Sequence, residues 1–240
     1  MPVSSSSVPW VGSLLWLVAL TVVSFLVSWI AANRLQVRRT PYVGVLTAAT
    51  AVMLFGYLAW SGLGFVDMLT ARWAWGLVAA PLSAVFLVVG MTRLPVFRRL
   101  TGRELGIAVI WEGLVYGVAE GVLLSVLPAL MTWQLVHSLG WSGIGGGIAR
   151  WTLPIVASVV VIVVHHLGYW EYRNRLLGPI AVGCGLLTLG FLATGSVIAP
   201  SLGHVLGHGS GLLHGAELPP HQHTAQPLSP DVASTSADLA

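Results

Sequence analysis

His204 and His208 stand four residues apart near the end of this 240-residue chain. On a helix that spacing projects both imidazoles from one face, the arrangement used by helical metal-ligand pairs. Five of the eight histidines lie between Ser201 and His223. The carboxyl groups that could complete such a site are Glu112 and Glu120, the acidic residues of the apolar run "WEGLVYGVAEGVLLSVLPAL". A carboxyl inside a membrane-spanning helix is costly and is expected to face the bundle interior or a water-filled cavity. The candidate metal ligands are therefore Glu120, His204 and His208, with zinc as the candidate ion, and the candidate catalytic carboxyls are Glu120 and Glu112. His165, His166 and His214 are secondary candidates. Zinc held by three side chains keeps an open position for a water whose pKa it lowers, which is hydrolytic chemistry.

These groups sit in a chain that is 56% hydrophobic and only 8% charged. An ordinary soluble domain carries about a quarter charged residues, so most of this chain's exterior is expected to face a lipid bilayer. All eleven basic residues are arginines, clustered beside apolar runs, which is the pattern of topology signals and not of a nucleic-acid-binding face. The single cysteine, Cys184, excludes an intramolecular disulfide and a cysteine zinc cluster.

Six runs are long enough to cross a bilayer as helices: 10–32, 42–62, 73–90, 105–130, 148–167 and 176–197. A seventh, 199–215, is shorter and rich in glycine and histidine. The expected fold is an all-α, polytopic transmembrane helical bundle of about seven spans over residues 10–215. A short external N-terminus, 1–9, precedes it and a disordered polar tail, 216–240, follows. Nine arginines fall in the connections after runs one, three and five and two, Arg72 and Arg150, on the opposite side. The positive-inside rule then puts the N-terminus outside a cell membrane and, if the seventh run crosses, the C-terminus in the cytoplasm. The glycine-rich stretch 140–150 reads as a mobile external loop. His221 and His223 belong to the tail, where a solvated segment is the expectation.

Depth along straight helices, at 1.5 Å per residue, sorts the ionisable groups into two layers. The outer layer holds Glu120, His204 and His208; the inner holds Glu112, His165, His166 and His214. Gly203, Gly207, Gly211 and Gly215 recur every four residues beside the paired histidines, a small-residue seam that lets another helix approach.

The HxxxH pair resembles the one on the last span of seven-span hydrolases of the alkaline ceramidase and adiponectin receptor type. Their earlier serine, histidine and aspartate motif has no match in this chain. Intramembrane glutamic peptidases of the CAAX-processing type use adjacent glutamates followed by an arginine, whereas Glu112 and Glu120 are separated and have no such arginine. No family is assigned on these residues. The functional expectation is an intramembrane metal-dependent hydrolase acting on a lipid or another membrane-embedded substrate. The alternatives are a proton-coupled transporter or channel using the same groups, a haem protein, and a structural membrane protein whose polar groups merely pair.

Overall fold

The computed structural model describes residues 9–216. The N-terminal residues 1–8 and the tail from 217, with His221 and His223, lie outside the described residues. Helices dominate, with no strands among the described residues beyond one isolated bridge between Val96 and Ala216.

Six helices are long and apolar enough to cross a membrane: α1 (Trp10–Arg34), α2 (Arg39–Ser61), α4 (Trp73–Thr92), α5 (Gly102–Ser138), α6 (Gly143–Leu167) and α7 (Leu177–Thr194). A short helix, α3 (Phe65–Thr70), lies between α2 and α4, and the seventh apolar run forms the 17-residue α8 (Ile198–His214). Large apolar side chains such as Leu15, Val52, Leu82 and Ile144 are exposed on the outside, the surface a bilayer covers.

The bundle is organised around α5, by far the most buried span. It packs against α1, α2, α6, α7 and α8, while α4 packs on α8 and α7. At 37 residues it exceeds the 26 expected for this run, and it widens into π-helical turns at Val109–Val115 and Gly121–Val126. Such turns carry i→i+5 hydrogen bonds and re-aim the side chains beyond them. Ser158 of α6 donates its hydroxyl to the Leu124 carbonyl inside the second widened stretch, at 2.5 Å.

Two differences from the sequence-based expectation matter for the site. The stretch 140–150 is not a loop: α6 starts at Gly143, and Arg150 of its second turn donates to the Trp141 carbonyl at 3.0 Å, tying the helix start to the connection. The end of α6 also lies deeper in the bundle than the inner layer. His165 and Tyr169 are fully buried, whereas Trp170, in the short turn Trp170–Tyr172 that follows, is exposed.

The α7–α8 connection reverses at Gly195, whose φ of +71° suits a residue without a Cβ. From there α8 runs alongside α4 in the same direction. Gly76 near the start of α4 lies against Ile198 at the start of α8, and His214 at the end of α8 bonds the Leu94 carbonyl just past α4 at 3.0 Å. The Phe97 and Arg98 amides close this end on the Gly215 carbonyl.

Candidate metal centre

The site exists because α5 and α8 touch backbone to backbone. Gly113, Gly117 and Gly121 recur every four residues along α5. A Cβ on Gly117 would stand 2.8 Å from the Val205 backbone, and one on Gly121 would stand 2.5 Å from Ser201 Cα. The close approach of α5 and α8 is therefore made by glycines of α5, a G-x-x-x-G-x-x-x-G signature visible in the sequence, and not by the glycine seam of α8. The α8 glycines serve other neighbours: Gly203 faces Leu187 of α7 and Gly207 faces Leu87 of α4. Interfaces of small residues are the usual means of close helix approach in membranes.

Glu120 immediately precedes Gly121, and His204 flanks Val205, so this approach carries the carboxylate into the histidine pair. His208 Nε2–H donates to Glu120 Oε2 at 2.7 Å. His204 Nδ1 lies 3.7 Å from the same oxygen, beyond hydrogen-bond range. Ligating atoms of Glu120, His204 and His208 all lie within 4.8 Å of one another, and this buried group can hold a metal ion. For zinc to take His208 through Nε2 it would replace the proton now shared with Glu120.

Two buried imidazole nitrogens in the cluster, His204 Nε2 and His208 Nδ1, have no hydrogen-bond partner. Buried polar atoms are nearly always paired, so such orphans point to an ion or water that satisfies them. The donor set of one carboxylate and two imidazoles suits zinc and other divalent transition metals.

His165 joins the cluster from α6. Its Nε2 lies 3.7 Å from Glu120 Oε1, the carboxylate oxygen facing away from His208. Its Nδ1 bonds the Ser24 carbonyl of α1 at 3.0 Å, and because a carbonyl can only accept, Nδ1 carries the proton. In the neutral ring Nε2 is left as an acceptor, and the Tyr169 hydroxyl lies 3.1 Å from it. Tyr169 in turn contacts the hydroxyl of Tyr42 closely and that of Tyr116 at 3.4 Å. The Tyr116 ring packs against His208 with 4.7 Å between centroids, closing a loop of contacts around the carboxylate.

The two expected layers thus do not persist as drawn: His165 stands at the level of Glu120. The His165 ring is held there by the Ser24 carbonyl of α1 and the buried Tyr169 hydroxyl. α5 also begins at Gly102, three residues before the start used to count depth, and contains two π-helical stretches that a straight-helix count leaves out. Glu120 is eight residues, about 12 Å, from the level of Glu112. Glu112 is not in the cluster. It pairs at 2.7 Å with Arg39, the first residue of α2. His214 is also remote, on the Leu94 carbonyl. His166 bonds the Ile162 carbonyl of its own helix through Nδ1 at 2.9 Å and lines a cavity shared with Glu120, His204 and His208. Leu87 and Met91 of α4 and Ile180 and Cys184 of α7 form the apolar wall of that cavity.

The geometry stands without support from known proteins: the chain matches no family model, and no curated protein or solved structure is similar to it.

Proposed function

We propose that the chain is a multi-pass membrane protein that binds one zinc ion at Glu120, His204 and His208 and uses it to hydrolyse an ester or amide within the bilayer. The observation that carries this reading is the cluster itself: three ligating groups within 4.8 Å on two helices, with two imidazole nitrogens left unpaired. A bound zinc supplies a water of lowered pKa and polarises a carbonyl. The chain's residues do the rest. His166, its Nδ1–H held by the Ile162 carbonyl, keeps Nε2 as an acceptor on a ring that lines the cavity. It takes the proton from the water whose oxygen bonds to the carbonyl carbon, and returns that proton to the leaving oxygen or nitrogen as the old bond breaks. His165 Nε2 stands 3.7 Å from the second oxygen of Glu120 and accepts the Tyr169 hydroxyl, which fixes the ring beside the carboxylate. Glu112, engaged with Arg39, serves the fold at the arginine-bearing end.

The test is metal analysis by mass spectrometry on protein purified without chelator and truncated before residue 217. Near-stoichiometric zinc that disappears in the His204→Ala, His208→Ala double variant supports the site and opens lipid and peptide hydrolysis assays. Protein that folds and holds no metal overturns the reading.

One observation favours a second reading, proton transfer. Glu120, His165, Tyr169 and Tyr42 form a continuous series of titratable groups across α5, α6 and α2. Proton flux in proteoliposomes that survives metal removal would favour it over hydrolysis.

A further inference from the structure

The cavity beside the cluster has two unlike sides. Glu120, His204, His208 and His166 form one, and Leu87, Met91, Ile180 and Cys184 form the other. Its volume is about 80 Å³, and it is partly open to the surroundings. An apolar cavity of about 150 Å³ takes benzene, so roughly half that volume has room for about three heavy atoms.

The apolar end of this cavity is held in place by the contact of three helices. Leu87 of α4 is wedged between Gly183 of α7 and Gly207 of α8. A Cβ on Gly183 would stand 2.3 Å from Leu87 Cδ2, and one on Gly207 would stand 3.5 Å from Leu87 Cβ. Cys184, the neighbour of Gly183, is 3% exposed and continues the same wall. Packing this close does not accept further methylenes without strain.

A hydrolytic centre divides its substrate at the carbonyl carbon, and the two sides of the cavity suit the two parts. The leaving oxygen or nitrogen has to meet His166, on the polar side. The substituent on the other side of the carbonyl meets only apolar groups, which leave nothing for a polar atom to bond. An acetyl group, with two carbons and one oxygen, fills the space; a butyryl group brings two more carbons against Leu87.

Building on the metal-site reading, we infer that this cavity is the acyl pocket of the centre and that its substrate is an acetyl ester or amide whose larger part stays outside the cavity. Water adds its oxygen to the acetyl carbonyl carbon, and the bond to the leaving oxygen or nitrogen breaks. The proton that His166 takes from the water passes to the leaving atom, so the products are acetic acid and a free alcohol or amine.

The experiment uses the full chain in vesicles of an ether-linked phosphatidylcholine, which offers no ester of its own, with zinc measured on the same preparation. The probes are the p-nitrophenyl esters of acetate, butyrate and octanoate. Acetate should exceed butyrate at least about tenfold in kcat/KM, the discrimination that a methylene in an apolar pocket gives, and octanoate should not be turned over. Leu87→Ala should let butyrate overtake acetate with zinc content unchanged. Cobalt(II) in place of zinc gives a readout apart from turnover: acetate, and not octanoate, should shift its visible absorption bands. Octanoate turned over as fast as acetate by the unsubstituted protein, or shifting the cobalt bands equally, overturns the acyl pocket and leaves the hydrolase standing, whether or not the variant folds. Zinc-loaded protein that hydrolyses none of the three overturns both.

Discussion

Glu120 of α5 and His208 of α8 are 88 residues apart in the chain and 2.7 Å apart in the fold. The contact holds a buried carboxylate in place through one imidazole nitrogen while the other nitrogen of that ring, and Nε2 of His204, remain unpaired. Replacing Glu120 by Gln retains the volume and an acceptor oxygen but removes the charge that draws in a cation. Glu120→Gln should fold and should bind zinc at least about 100-fold more weakly, the upper end of what even supporting residues of metal sites contribute. Competition titration against a zinc-binding dye measures this. Unchanged affinity would remove Glu120 from the ligand set.

The glycines of α5 give a prediction about stability. Gly117→Ala and Gly121→Ala place a methyl against the backbone of α8, and overpacking of this kind costs about 1–3 kcal/mol. Gly106 has open space around its Cβ position. There the same substitution should be neutral or gain about 0.5–1 kcal/mol, because alanine is favoured over glycine in a helix. Thermal melts in detergent compare the three. The two α5 seam variants should also lose zinc, since the approach they obstruct is the one that brings Glu120 to His204.

Tyr169 separates the support of the site from the site itself. Its hydroxyl is the group that His165, Tyr42 and Tyr116 share. Tyr169→Phe strands a buried acceptor on His165 and should destabilise the protein by about 1–3 kcal/mol. Zinc should still bind, because no ligand is removed. Loss of metal in a variant that retains its fold would mean that the tyrosine network sets the position of Glu120 more tightly than these distances imply.

The spans were legible because apolar length is a property of composition, and each of the six firm runs corresponds to a helix long and apolar enough to cross a membrane. The pairing of Glu120 with His204 and His208 was also within reach, since i, i+4 histidines and a carboxyl deep in an apolar run are local features. The arrival of His165 was not. It depends on how the end of α6 packs against α1, α2 and α5, which cannot be counted along a straight helix. The sequence "HHLGYWEYRNR" has the amphipathic rings of an interfacial segment, yet His165 and Tyr169 are drawn inward by bonds to Ser24 and to two other tyrosines. Glu112 was paired with the wrong neighbours for a similar reason, because its partner Arg39 lies at the start of a different helix.

Glu112 and Arg39 supply a control on the same helix as the metal site. Their ion pair is partly exposed, with side-chain exposures of 19% and 14%. Glu112→Gln should leave zinc content unchanged and cost about 1.5–3 kcal/mol, because the mostly buried Arg39 guanidinium loses its counter-charge. A double-variant cycle with Arg39→Gln should assign that cost to the pair. If Glu112→Gln instead abolished metal or hydrolysis while the fold survived, the first widened stretch of α5 would have to rearrange to bring residue 112 to the cluster.

The direction of α8 leads to a prediction about topology. It runs with α4, and the two helices are matched at both ends, at Gly76 with Ile198 and at Leu94 with His214. A helix that keeps pace with a spanning helix along its whole length traverses the same thickness, so the 17 residues of α8 should form a seventh crossing. The arginine distribution predicts the sides, with the α1–α2 connection expected inside and the α5–α6 connection expected outside. Single cysteines test this in a Cys184→Ser background, which removes the native thiol. A membrane-impermeant maleimide applied to intact cells should label Ser142→Cys and spare Gln36→Cys. Ser229→Cys, in the tail after α8, should be spared with Gln36→Cys and become reactive only after permeabilisation. Labelling of Ser229→Cys from outside would leave α8 as a helix that turns back within the bundle, and would put both ends of the chain on one side of the membrane.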